Sequence, residues 1–194
     1  MPDKPPYTVG VLALQGAVSE HLRQLEALGA SAVAVKNIEQ LQQIDGLILP
    51  GGESTAISKL MREYGFVEPI RRFAADGKPL FGTCAGMILL AKEIAGNASP
   101  HLALMDIQVQ RNAFGRQIDS FETALSVKLL SAPFPAIFIR APYIRQRLSD
   151  SVEVLAEMDG NIVLARQDNL LACAFHPELS HDTRIMALFL DMLK

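Results

Sequence analysis

Cysteine is nearly missing from this 194-residue sequence, with only Cys84 and Cys173 present. Two cysteines cannot build a disulfide framework or a zinc site, and they suit a reducing cytoplasm. An excess of one charge is missing too. Eighteen basic and 21 acidic residues leave a formal charge of −3, which provides no electrostatic footprint for nucleic acid. No apolar run reaches the ~20 residues needed to span a bilayer, and the N-terminus has no secretion-signal core. Internal repeats, low-complexity segments and Pro/Gly/Ser-rich linkers are also absent. The expectation is one cytoplasmic domain over residues 1–194, with no membrane or nucleic-acid partner and no metal. A hydrophobic content of 49% is enough for a sizeable core.

What is present centres on residues 80–90, Leu-Phe-Gly-Thr-Cys-Ala-Gly-Met-Ile-Leu-Leu. Gly82 and Gly86 flank Cys84 symmetrically, between a short apolar run and a helix-compatible one. This is the strand-turn-helix elbow pattern, with cysteine as its nucleophile. A sharp turn leaves no room for side chains two positions to either side, hence the glycines. The following helix would point its positive end at the sulfur and favour the thiolate. The Ala85 N–H, unpaired in the first helical turn, would be free to meet an oxyanion. A free cysteine is also often just a small buried apolar residue, so the rest of the chain has to decide.

Residues 8–14 form a continuous apolar run of strand length, the mark of a strand buried on both faces of a parallel sheet. Val18, Leu22, Leu25 and Leu28 recur at helical spacing, and Gly29 ends that helix. Residues 32–35 and 46–49 read as further strands, with a short helical piece at 39–44 between them. Pro50-Gly51-Gly52-Glu53-Ser54-Thr55 follows, with Ser54 expected to cap a helix over 55–64. A helix at 68–75 and the Asp76-Gly77 turn lead into the strand before Cys84. Beyond it, 103–110, 121–129, 136–140, 152–158, 161–167 and 170–175 read as strands. Asp159-Gly160 is a hairpin turn, the polar loop 111–119 carries Arg111, Asn112, Arg116 and Gln117, and an amphipathic helix at 182–193 closes the chain. The alternation predicts an α/β fold: an open, doubly wound, mostly parallel sheet flanked by helices, with antiparallel strands added in the second half. Ligands of such sheets bind beyond the carboxyl ends of the strands. Cys84 and the paired glycines both lie there.

A nucleophilic cysteine needs a base, and the base needs an orienting group. His176 sits at a strand end in Phe-His-Pro-Glu, where Pro177 keeps it out of helical geometry. In an extended segment Glu178 would lie on the same side as His176. A solvated strand-end histidine beside an unrelated carboxylate would look the same locally. The pairing with a cysteine elbow in one small domain favours a triad of Cys84, His176 and Glu178.

Three strings, residues 50–55, 81–86 and 175–178, resemble those of class I, triad-type glutamine amidotransferases, which have flavodoxin-like sheets. Residues 10–16, 111–117 and 138–142 are similar to signatures of the glutaminase subunits of two-component pyridoxal 5′-phosphate synthases. The resemblance covers nearly the whole chain. Ala113 and Ala174 depart from it, standing where many members have serine.

The resemblance implies hydrolysis of L-glutamine to glutamate and ammonia through a γ-glutamyl thioester, with no cofactor. It places an oxyanion hole at the N–H groups of Gly52 and Ala85, and glutamine-binding positions at Gly52, Glu53, Ser54, Arg111, Ile139 and Arg140. Glutaminase elements occupy almost the whole chain, so the ammonia acceptor is expected on another polypeptide. The resemblance makes that partner the synthase subunit, which builds pyridoxal 5′-phosphate from ribose 5-phosphate and glyceraldehyde 3-phosphate. The residues alone also admit another cysteine hydrolase, such as a peptidase or γ-glutamyl hydrolase, or a redox-sensing or interaction subunit. Gly51 and Gly52 lack Cβ atoms, so the peptide between them can turn either its carbonyl or its N–H toward the site. Partner docking could select between the two.

Overall fold

The computed structural model describes residues 6–112 and 120–194. Most of the N-terminal tail lies outside the described residues, as do Ala113, Arg116 and Gln117. The first half runs β1 (Thr8–Leu12), α1 (Val18–Ala27), β2 (Ser31–Val35), β3 (Gly46–Leu49), α2 (Ser54–Glu63), α3 (Val67–Ala75), β4 (Leu80–Thr83) and α4 (Ala85–Leu90). The second half runs β5 (Ala91–Ile94), β6 (Met105–Gln110), β7 (Ser120–Leu125), β8 (Phe134–Ile139), β9 (Tyr143–Arg147), β10 (Glu153–Met158), β11 (Asn161–Gln167), β12 (Leu170–Cys173) and α5 (Arg184–Asp191). No helix among the described residues is long and apolar enough to cross a membrane.

The main sheet has the order β2-β1-β3-β4-β12-β11-β9-β6-β5, with β10 on the side of β11. The strands from β2 to β12 are mutually parallel. β11 then runs antiparallel to β12, and β9 to β11. The order 2-1-3-4 followed by the last strand is the flavodoxin-type doubly wound arrangement. Four of these strands are the apolar runs of the sequence, and β3, β4 and β12 are buried at every residue. Such burial requires cover on both faces. The ring of Phe189 on α5 supplies part of it, with its centroid 5.3 Å from that of Phe81 on β4.

The second half refines the expectation in three places. β7 and β8 form a two-stranded ribbon of their own rather than lengthening the main sheet. The ribbon is tied to the sheet at one useful point, where the His176 N–H donates to the Ile137 carbonyl at 2.8 Å. β5 and β9 were not evident in the sequence. β5 follows α4 directly, and β9 (Tyr-Ile-Arg-Gln-Arg) exposes its last three residues, so neither carries a buried-strand pattern. The Asp159-Gly160 turn forms as expected, with both residues at positive φ (50° and 79°) between paired Met158 and Asn161. That is the type I′ geometry whose twist matches a hairpin.

Candidate active site

The parallel strands end on one side of the sheet and deliver the site there. β4 stops at Thr83, and Cys84 takes φ 51° and ψ −106°, a conformation costly for any residue with a Cβ. Its N–H is fixed to the Cys173 carbonyl of β12 at 2.7 Å. The flanking glycines are required by contact. A Cβ on Gly82 would lie 2.6 Å from the carbonyl carbon of Gly86, and one on Gly86 would strike the Leu49 carbonyl. Ala85 opens α4, so its N–H has no intrahelical acceptor.

Beyond β12 the chain turns at His176 (φ −109°, ψ 83°) into a 3-10 turn over Pro177–Leu179. His176 Nδ1 and Glu178 Oε1 are 2.5 Å apart. The pair therefore forms as expected but for a different reason: the tight turn folds Glu178 back, where an extended segment would have set it alongside. The two side chains are almost wholly buried. Burial alone would lower the pKa of His176, but its hydrogen bonds to Cys84 and Glu178, and their charges, outweigh that and raise it to about 10. Burial pushes the carboxyl of Glu178 up, and the hydrogen bond from His176 with the nearby His21 and His176 charges brings its pKa below the ordinary value. The imidazolium–carboxylate form is the favoured one. His101 and His181 lie elsewhere, and His101 lines a separate cavity of about 390 Å³.

The cysteine and histidine open on a cavity of about 790 Å³. Gly52, Glu53, Ser54, Arg111, Ile139 and Arg140, the six positions implied by the resemblance, all line it. The Ile139 carbonyl is 4.0 Å from the Cys84 sulfur. Gly51 packs against the reacting groups, since a Cβ there would lie 2.6 Å from His176 Cε1 and 3.5 Å from Cys84 Cβ. The Gly51 carbonyl accepts from the Ala17 N–H at 3.0 Å, and Gln15 Oε1 accepts from the Glu53 N–H at 3.0 Å. The turn before α1 thus holds the glycine loop.

One expectation is corrected. Ser54 does not cap α2. It is the first helical residue, and Glu53 is the cap, accepting from the N–H groups of Thr55 (3.0 Å) and Ala56 (2.8 Å). The glutamate side chain is one carbon longer than the usual cap, and the Thr55 hydroxyl steadies it at 2.5 Å. These bonds, the Thr55 side chain first, keep the pKa of Glu53 low against the opposing effect of burial. Sequence reasoning also gave no role to His21 and Gln24, which α1 buries beneath the Glu178 turn. A histidine three residues after Val18 and four before Leu25, on the apolar face of α1, was the available signal.

Residues 11–194 match the SNO glutamine amidotransferase family. The chain belongs to that family. It is 60% identical over 194 residues to the pyridoxal 5′-phosphate synthase subunit PdxT of Actinobacillus pleuropneumoniae serotype 3, covering 100% of both chains. It is 62% identical over 193 residues to the PdxT subunit of Haemophilus ducreyi, again covering 100% of both. A crystal structure of a glutamine amidotransferase superposes with a TM-score of 0.90 at 50% identity, covering 95% of this chain and 98% of that one. Among the described residues no group of three or more His, Cys, Asp or Glu side chains is arranged to hold a metal ion.

Proposed function

We propose that this chain is the glutaminase subunit of a two-component pyridoxal 5′-phosphate synthase, working in the cytoplasm as one domain. The observation that carries the chemistry is the continuous line from Glu178 through His176 to Cys84, opening on a cavity that presents two arginines. Cys84 is the nucleophile. With its proton on His176, the thiolate attacks the side-chain amide carbon of L-glutamine, and the amide oxygen becomes an oxyanion. The N–H of Ala85 and that of Gly52 receive it, each such donor being worth ~3 kcal/mol of barrier. His176 returns the proton to the departing nitrogen, and ammonia leaves behind a γ-glutamyl thioester. The same imidazole then takes a proton from water, whose oxygen attacks the thioester and releases glutamate and the cysteine. Glu178 keeps the Nδ1 tautomer and stabilises the charged ring.

Glutamine carries a carboxylate and an ammonium group away from the reacting amide. Arg111 and Arg140 suit the first, and the carbonyl of Ile139 and the carboxylate of Glu53 suit the second. No cofactor takes part. Pyridoxal phosphate is the product of the assembly, made on the synthase subunit with the ammonia released here.

The test is to incubate the chain and its synthase subunit with a glutamine-like chloroketone. Labelling of Cys84 alone, with loss of glutamate formation, is the expected result. Labelling of Cys173, or glutamate formation that survives Cys84→Ala, would overturn the assignment. Cys173 is fully enclosed, and burial pushes its thiol well up, so it has no thiolate to offer. A γ-glutamyl hydrolase or peptidase would form glutamate from other γ-glutamyl or peptide amides at least as readily as from glutamine.

A further inference from the structure

α1 does more than cover the sheet. Gln24 and His21, three residues apart and so on one helical face, both reach the segment that carries the triad's acid. The Gln24 amide donates to the Pro177 carbonyl at 2.7 Å and to the Ser180 carbonyl at 2.8 Å, pinning the backbone of the turn on each side of Glu178. His21, 0% exposed, sits below the side chain. Its Nε2 is 3.2 Å from Thr83 Oγ1 and 3.7 Å from Glu178 Oε2. Glu178 Oε1 is taken by His176, and Oε2 is buried with no hydrogen bond from any described residue. Among the imidazoles and hydroxyls packed here, His21 Nε2 is the group that faces it.

A carboxylate held at one oxygen only is not held well, because its last torsion is broad. A buried, unsatisfied carboxylate oxygen is also expensive. We propose that His21 is a positioning residue for Glu178: its Nε2–H, shared with the Thr83 hydroxyl, is directed at Oε2 and keeps Oε1 on His176. This rests on the triad reading above. The tautomer follows from the same geometry, since an Nε2 lone pair facing a carboxylate oxygen would repel it. His21 is the better for being neutral, as a second cation would compete with His176 for the carboxylate. Burial, the largest influence, holds its pKa below the ordinary value against the attraction of Glu178.

The experiment compares three variants as complexes with the synthase subunit. His21→Gln keeps an N–H near the Nε2 position, His21→Met fills similar volume without one, and His21→Asn offers an amide only near Nδ1. Expected are near wild-type kcat for Gln and a loss of about tenfold in kcat for Met and Asn, ~1.4 kcal/mol of barrier. KM for glutamine stays unchanged, because His21 does not line the cavity. In a Glu178→Gln background the same His21 substitutions should cost nothing further, since their effect passes through the carboxylate. Wild-type kcat in both Met and Asn, an additive loss in the Glu178→Gln background, or a rise in KM with kcat intact would each overturn the proposal. Should Met fail to fold, Asn and Gln decide it. If Glu178→Gln itself leaves kcat unchanged, the triad reading has failed instead, and the two failures are thereby told apart.

Discussion

Replacing Glu178 by glutamine removes one negative charge and changes almost nothing else in volume. The cost follows from the state of His176. Its pKa rises from 6.5 to about 10 in spite of burial, and each tenfold change in proton affinity is about 1.4 kcal/mol. The site therefore favours the imidazolium, because the Cys84 sulfur and the Glu178 carboxylate together outweigh burial. Loss of a buried hydrogen bond between charged groups costs about 2–3 kcal/mol, which taken from the barrier is a fall in kcat on the order of 100-fold. The glutamine amide adds a second penalty, because its NH2 group turned toward Nδ1 selects the wrong tautomer. Glutamate release should be followed against glutamine concentration with saturating synthase subunit. The expected result is a kcat reduced at least 100-fold with KM changed little. Labelling of Cys84 by iodoacetamide at neutral pH should slow in parallel, as His176 loses the carboxylate that orients it. A kcat within threefold of wild type would refute the reasoning, whatever the change in stability.

Other outcomes are equally direct. Gly51→Ala should cut kcat by at least tenfold, because its Cβ would sit 2.6 Å from His176 Cε1 and the ring must move. Gly77→Ala, at φ 84° with nothing within 4 Å, should instead lower stability by about 1 kcal/mol and leave kcat alone; urea unfolding and steady-state assays separate the two. Because the folded pKa of His176 lies above its unfolded value, its contribution to stability is full below pH 6.5 and lost as pH rises through about 10. The stability gap between wild type and His176→Gln should shrink over that window, and a gap that widens would reverse the sign of the argument. Glutamine hydrolysis should rise ~100-fold when synthase subunit is added, which needs ~2.7 kcal/mol of docking energy favouring the active loop. Rotating the Gly51–Gly52 peptide would break the Ala17 N–H bond to the Gly51 carbonyl, at ~1 kcal/mol; equal rates with and without partner would remove the gating idea.

The parallel half of the fold was legible because the physics there is local. A strand buried on both faces must be apolar throughout, and β1, β3, β4 and β12 say so in four to five residues each. The elbow was legible for the same reason, since its glycines are dictated by contacts with Gly86 and Leu49 that any tight turn of this kind would make. β9 was not. Its residues satisfy backbone pairing with β6 and β11, but Ile144 alone is buried and the last three side chains are exposed, which is too little to leave a periodic trace. Nor does the sequence announce that β7 and β8 stand apart from the main sheet, because alternation reports that a strand has two faces and not which strand lies beside it.

The residues that sequence reasoning placed least well are those asked to meet two demands at once. Glu53 was read as a binding residue and Ser54 as a cap, yet Glu53 lines the cavity and caps α2 together. Its carboxylate is thereby fixed by three hydrogen bonds from Thr55 and Ala56. That fixation has a use, because a charge already held in place by the helix loses no side-chain freedom when an ammonium group arrives. His21 shows the same economy from the other side. A helix face needs apolar residues to bury, and a histidine there looks like an imperfection of the pattern until β4 and the Pro177–Leu179 turn are brought against it. Distance along the chain hides such a group, since Glu178 lies 157 positions from it. Glu53, exposed and lining the cavity that holds Cys84, and His21, buried on an otherwise apolar helix face directly under the triad, thus each serve the fold and the site together.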